Sequence, residues 1–372
     1  MHPSRRHFFL MSGIAAAAYA QSRKPSTSTV EPRYRTLGKT GLRVTEVGFA
    51  SEGVTDSSVI ARGIDLGINF FDTSHAYEGG NNERTLGQAL KGRRKNVIVA
   101  TRTYAKNAAG MRENLDQSLR ELGTDYLDLW YIGDKDNPSA VTDDMLEVQR
   151  AAQKAGKTRF RAFSTHRIVR MMDFILANKF DVVMIPYSFA QGTPRDRGRF
   201  PVEGLDDALG RLKQAGIGVV AMKVMGGNYT MKPGGHLAAI KWVLRTDRIA
   251  TMALRMADHD QVMEDVKAMS GSFTAGDEKL LMAQSERIRP VLCRMCGACD
   301  GVCPKGLPTS DMVRFVMYAD GYGDTAMARS RFRALPEPVR EVRCGDCTSC
   351  PIRCPNGVRV RDQLIRAQTI LA

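Results

Sequence analysis

No cysteine precedes Cys293; all eight in the chain lie between Cys293 and Cys354. That excludes a disulfide framework spread along the fold. Tryptophan is scarce, at two residues. No module interleaves aromatic and basic side chains, so the charge excess does not indicate nucleic-acid binding. That excess is substantial: 54 Lys and Arg against 40 Asp and Glu, a formal net charge of +14. It suits solubility, docking to an acidic redox partner, or peripheral contact with an anionic membrane. No apolar run reaches the ~20 residues that span a bilayer. No G-x-G-x-x-G follows the first predicted strand, which counts against a doubly wound dinucleotide-binding sheet.

The cysteines form two copies of one spacing. Cys293, Cys296, Cys299 and Cys303 are followed by Pro304; Cys344, Cys347, Cys350 and Cys354 are followed by Pro355. Each copy reads C-x2-C-x2-C-x3-C-P, the run that ligates [4Fe–4S] clusters. Structural zinc normally takes two C-x2-C pairs per ion, and tight quartets closed by Cys-Pro fit it poorly. In two-cluster ferredoxins the fourth cysteine of each run ligates the other cluster. The assignment is therefore Cys293, Cys296, Cys299 and Cys354 to one cluster, and Cys344, Cys347, Cys350 and Cys303 to the second. Two clusters imply that the protein moves electrons.

The N-terminus predicts the compartment. Arg5-Arg6 precedes the apolar run Phe8 to Ala20, which ends in the small-x-small site Ala18-Tyr19-Ala20. This is the layout of a twin-arginine signal peptide over residues 1–20. It implies passage through the twin-arginine export machinery to the periplasm. That route carries folded proteins, so clusters are assembled before export. Residues 21–32, rich in Ser, Thr and Pro, read as a linker.

From residue 33 to about 275, near-continuous apolar runs alternate with amphipathic stretches. The runs are Val44–Ala50, Asn69–Thr73, Val97–Thr101, Tyr126–Ile132, Phe160–Ser164, Val182–Tyr187, Gly218–Lys223 and Ile249–Leu254. Such runs suit parallel strands buried on both faces. Leu115, Leu119 and Leu122 share one helical face, and Gly67, Gly92, Gly123, Gly156 and Gly216 stand where helices should stop. The expected fold is α/β: a (β/α)8 TIM barrel followed, over residues 276–372, by a small, mainly helical two-cluster ferredoxin-like domain. Helices are expected at Asp277–Ile288, Thr309–Tyr318 and Thr325–Phe332.

Active sites of such barrels lie at the C-terminal ends of the strands. There Asp72-Thr73-Ser74-x-x-Tyr77, followed by Glu83-x-x-Leu86-Gly87, resembles the signature of the aldo/keto reductases. Tyr34 to Leu42 is similar to that family's N-terminal hairpin. Gly216 to Lys223, with the cysteine tail, resembles its iron–sulfur branch. The resemblance implies hydride transfer between a nicotinamide dinucleotide and a carbonyl carbon. It makes Tyr77 the general acid and Asp72 the partner of a cation. The family's Lys position falls at Arg102, and its His position at Gly133, which has no side chain. His75 and His166 are candidate substitutes for the imidazole, against the plainer role of polar rim residues. Restoring the family residues at Arg102, Gly133 and Met184 is expected to raise reductase activity.

For the cofactor, the resemblance implies that Ser164 holds the nicotinamide amide, while Met184 replaces the expected Gln. Tyr187 packs on the ring, and Lys223 is a second cation candidate. Gly226 and Gly227 would let the backbone approach a pyrophosphate. Gln261, Glu264 and Asp265 align with the adenine-end contacts, and Arg255 stands where a Gly is usual. NAD(P) is thus a candidate cofactor beside two [4Fe–4S] clusters. The leading function is an exported oxidoreductase whose barrel binds NAD(P) or another redox ligand. It would exchange electrons with a redox protein or a small-molecule donor or acceptor. The alternatives are a non-catalytic electron carrier with a degenerate barrel as docking platform, and a binding protein with structural clusters.

Overall fold

A computed structural model describes residues 31–192 and 201–372. The twin-arginine motif and most of the linker lie outside the described residues. Two short strands, β1 (Tyr34–Thr36) and β2 (Arg43–Thr45), form an antiparallel hairpin. Eight parallel strands then close into a barrel. They are β3 (Val47–Ala50), β4 (Phe70–Asp72), β5 (Ile98–Thr103), β6 (Leu127–Ile132), β7 (Thr158–Ser164), β8 (Val182–Pro186), β9 (Gly218–Met222) and β10 (Thr251–Arg255). They pair in chain order, and β10 closes on β3. Each coincides with one of the eight apolar runs to within two residues, because strands sheathed by helices bury both faces.

The hairpin plugs the N-terminal end of the barrel. Lys39 N donates to Gly216 O at 2.7 Å, just before β9. A Cβ at Gly38 would stand 2.3 Å from Gly218 N, so only glycine permits this approach. Leu37, Leu42 and Val44 enter the core beside Leu129, Ala162, Val182 and Val220.

One helix follows each barrel strand: α1 (Ser57–Asp65), α2 (Asn81–Ala89), α3 (Ala108–Leu122), α4 (Asp143–Lys154), α5 (Ile168–Ala177), α6 (Leu205–Gln214), α7 (Gly235–Leu244) and α8 (His259–Ala268). Four of them start on a side-chain cap: Asp56 accepts from Ser58 N, Asn107 from Gly110 N, Thr142 from Met145 N and Asp258 from Gln261 N. Gly123 ends α3 at φ 63°, and the other four predicted stop glycines also take positive φ.

Beyond the barrel come α9 (Ala275–Ile288), α10 (Thr309–Asp320), α11 (Thr325–Arg333), α12 (Glu337–Glu341) and α13 (Val360–Ile370). The first three match the expected helices to within about two residues; α12 and α13 were not foreseen. α13 packs on α10 through buried Val360, Leu364 and Ala367. Residues from Pro32 to Ala372 form one compact unit. The helical tail lies on the barrel rather than apart from it. Among the described residues no helix is long and apolar enough to cross a membrane.

Candidate active site and cysteine quartets

The strand ends bring the family signature together. Arg102, from β5, forms a buried ion pair with Asp72, from β4. Asp72 is fully enclosed, and burial pushes its carboxyl up to about 6 against the pull of Arg102. The pair is therefore ionised at neutral pH. The Arg102 guanidinium sits 5.9 Å from the Tyr77 ring centre and 5.5 Å from that of Tyr131. Burial raises the Tyr77 hydroxyl well above its ordinary value, with Arg102 opposing. Tyr77 thus stays protonated, as a proton donor must.

Glu83 of the signature is structural. It is fully buried on α2 and its Oε1 accepts from Thr101 Oγ1 at 2.6 Å. Burial lifts its carboxyl from 4.5 to about 7. A folded-state pKa above the unfolded one adds stability that is full below about 4.5 and is lost as pH rises through 7. Some 2.5 pKa units amount to about 3 kcal/mol. Melting followed by circular dichroism should therefore show stability falling between pH 5 and 8, and Glu83→Gln should flatten much of that slope. An unchanged slope would contradict this assignment.

Both candidate histidines are held by neighbours through at least one ring nitrogen. His75 Nδ1 is held 2.9 Å from Arg102 O. His166 lies buried between Asp134 and Asp136, 3.5 Å from each, and burial and then Arg314 lower its pKa. It belongs to an ionic seam between barrel and tail. Arg314 of α10 pairs with Asp136 at 2.8 Å, and Arg331 of α11 with Asp134 at 3.2 Å. Tyr104, which sequence reasoning missed, packs where a side chain at position 133 would begin. A Cβ at Gly133 would stand 3.1 Å from Tyr104 Cε1 and 3.1 Å from Thr103 O. Tyr104 lies against Tyr77, and Arg331 covers its ring at 5.1 Å.

The tail also covers the expected cofactor positions. A Cβ on Gly227 would lie 2.8 Å from Leu292 Cδ1 and 3.0 Å from Met317 Sδ. One on Gly226 would lie 3.0 Å from Phe189 Cζ. Gly227 thus admits Leu292 and α10, and Gly226 admits Phe189 of the barrel and Ile288 of α9, where a pyrophosphate was expected. Lys223 Nζ is 3.4 Å from the Tyr322 hydroxyl and 4.8 Å from the Tyr318 ring centre. Burial lowers the Lys223 ammonium to about 8.

Ser164 Oγ accepts from Asp134 N at 3.3 Å, so it braces a turn. Tyr187 is fully buried against Trp242, with ring centres 5.3 Å apart. Gln261 Oε1 accepts from Ala257 N, Glu264 pairs with His236 on the surface, and Asp265 is buried with its carboxyl pushed up to about 7 by desolvation. Met184 lies in the barrel core. The dinucleotide contacts expected from the sequence are thus largely engaged within the chain itself.

Glu52 was also missed. It follows β3 and is largely enclosed; burial raises its pKa while Lys223, Arg102 and Arg255 oppose the shift. A survey of charged residues just after each strand would have found it. Gly53 makes room for Arg255, whose Nη2 stands 2.7 Å from where a Cβ would be.

The eight thiols are unpaired as disulfides. Cys293 interacts electrostatically with Cys299 and Cys296, and Cys299 with Cys296 and Cys354. Cys344 interacts with Cys303, Cys347 and Cys350. Burial, and then these neighbours, push Cys344 up to about 11. Each group of four thus joins three cysteines of one run to the last of the other. Among the described residues no three such side chains converge tightly enough for a single metal ion. The donor set fits [4Fe–4S] chemistry.

Relatives agree with the barrel. Residues 53–233 match the model of the aldo/keto reductase family, a span that stops short of the cysteines. L-galactose dehydrogenase of Arabidopsis thaliana is 26% identical over 302 residues, covering 68% of this chain and 93% of that protein. The uncharacterized oxidoreductase YqkF of Bacillus subtilis is 27% identical over 181 residues, 44% of this chain and 59% of YqkF. The holo form of aldo-keto reductase AKR11C1 from Bacillus halodurans superposes with a TM-score of 0.58 at 24% identity, over 68% of this chain and 96% of that one. An aldo-keto reductase from Klebsiella pneumoniae, solved in complex with NADPH, gives 0.56 at 19% identity, over 69% and 95%. The strand ends place a buried ion pair and a phenol at the mouth of a closed eight-stranded barrel. Over residues 53–233, just under half of the chain, that barrel is similar to the aldo/keto reductase family.

Proposed function

We propose that this chain is an exported iron–sulfur oxidoreductase in which the aldo/keto reductase barrel holds a redox ligand and the cysteine quartets hold two [4Fe–4S] clusters. The observation that carries this reading is the grouping of the thiols across the two runs. When bound, the clusters supply one-electron storage and transfer. Cys293, Cys296, Cys299 and Cys354 would hold one; Cys344, Cys347, Cys350 and Cys303 the other.

The chain's own residues set the chemistry at the barrel mouth. Tyr77 keeps its proton and can deliver it to an oxygen of the ligand. Arg102 and Asp72 hold a fixed cation beside that phenol, which favours a developing oxyanion. Lys223, near its titration point at neutral to mildly alkaline pH, is a second proton source. α10 and α11 close the mouth and keep water out. NAD(P) is the ligand the family suggests. The filling at Gly226 and Gly227 favours a smaller redox molecule. Anaerobic purification followed by extraction and mass spectrometry decides between them: a co-purifying nicotinamide dinucleotide would contradict the smaller ligand.

The second reading, an electron carrier on a degenerate barrel, is favoured by Gly133 and its cover of Tyr104. An empty barrel in that extraction would support it.

Export rests on Arg5 and Arg6. Changing both to Lys is expected to leave the precursor in the cytoplasm. Periplasmic accumulation of the variant, read by fractionation and blotting, would overturn this part of the proposal.

A further inference from the structure

We infer that the face around the second quartet is where electrons are exchanged with an acidic redox protein. The inference rests on the cluster reading above. Four exposed cations surround Cys344, Cys347 and Cys350. Arg361 Nη2 donates to Cys347 O at 3.3 Å, and Arg353 Nη1 to Cys350 O at 2.5 Å. Lys305 Nζ donates to Arg343 O at 3.2 Å, and Arg343 Nη1 to Arg340 O at 2.6 Å. Backbone carbonyls fix their positions without cancelling their charge. Among the described residues none of the four pairs with a carboxylate. Exposed Glu341, Asp346 and Asp362 share the region, yet from Arg329 to Gln363 there are 8 arginines against 4 acidic residues.

The first quartet is different. Arg167 pairs with Asp300, Arg170 approaches Asp300 at 3.5 Å, and Arg314 is shared by Asp136 and Asp311. Those cations are spent on the seam with the barrel. Uncompensated positive charge is therefore concentrated where the second quartet meets solvent. Such a field steers an oppositely charged partner and orients it on arrival. Val302, 42% exposed beside Cys303, adds one apolar contact within this rim. A single valine suits a small protein interface and offers little to a bilayer. Each encounter moves one electron between this chain and the partner's redox centre, with no bond made or broken.

The test uses anaerobically prepared full-length protein whose iron and sulfide have been measured. Dithionite-reduced protein is re-oxidised in a stopped-flow cell by ferricyanide, by tris(phenanthroline)cobalt(III), or by flavodoxin, a small acidic electron carrier. Ferricyanide and flavodoxin rates should fall ~10-fold or more as salt rises to about 0.5 M, and the cobalt rate should not. Lys305→Glu with Arg361→Glu should reproduce that fall at low salt. Lys95→Glu, an exposed change just before β5 on the opposite end of the barrel, should not. If the double variant loses iron, the salt dependence of the native protein carries the test. Rates indifferent to salt and to charge reversal would overturn the inference. So would capture by anionic vesicles, lost in the double variant, with flavodoxin rates unmoved; that pattern would assign the face to a membrane. A preparation without iron and sulfide removes the inference together with the cluster reading, and is recognised before any rate is taken.

Discussion

Cys303→Ser is expected to remove the cluster held by Cys344, Cys347 and Cys350 and to spare the other. Cys303 belongs by sequence to the first run, yet it interacts with Cys344 of the second. Cys354 makes the reciprocal crossing to Cys299. The variant should lose about half of its iron, because each [4Fe–4S] centre contributes four of eight. Cys354→Ser should produce the mirror-image loss. Electron paramagnetic resonance of the reduced variants distinguishes the two centres. Loss confined to the cluster of Cys293, Cys296 and Cys299 in the Cys303 variant would show that each run binds its own cluster.

The second large effect concerns carbonyl reduction. The native chain is expected to reduce simple aldehydes with free NADPH far below the ~1–10³ s⁻¹ usual for enzymes. One missing acid–base group alone costs about 10²–10⁴, and position 133 has no side chain. Tyr77→Phe should abolish whatever hydride transfer remains. Restoring the family residues at Arg102, Gly133 and Met184 together was expected from the sequence to raise activity, but histidine at position 133 should fail. Its Cβ would press on the Tyr104 ring and on Thr103 O, an overpacking that typically costs about 1–3 kcal/mol. Gly133→His needs Tyr104→Ala beside it. Met184→Gln has a related problem, since it would place an amide in an apolar barrel core. The single and double variants are compared by melting temperature and by NADPH oxidation. A Gly133→His variant of native stability and raised activity would contradict the packing described here.

The barrel was legible because its strands are nearly all apolar and its helices carry 3.6-residue periodicity with glycine stops. All eight strands coincide with the expected runs, three of them (β5, β7 and β10) overrunning by one or two residues. Helix α13 escaped notice because Val360, Leu364 and Ala367 form a short apolar face next to a cysteine motif that drew attention elsewhere. The Asp72–Arg102 pair followed from the family resemblance at the strand ends. What the sequence could not reveal was how closely the tail sits on the mouth. Arg314, Arg331, Tyr318 and Tyr322 lie far along the chain from the groups they cover, and no local pattern marks such contacts. That placement ties His166 into a seam, fills the track at Gly226 and Gly227, and brings Tyr104 under Arg331.

Iron and acid-labile sulfide content of anaerobically purified protein tests the central claim most directly. The account predicts about eight of each per chain. Stoichiometric zinc without sulfide would contradict it.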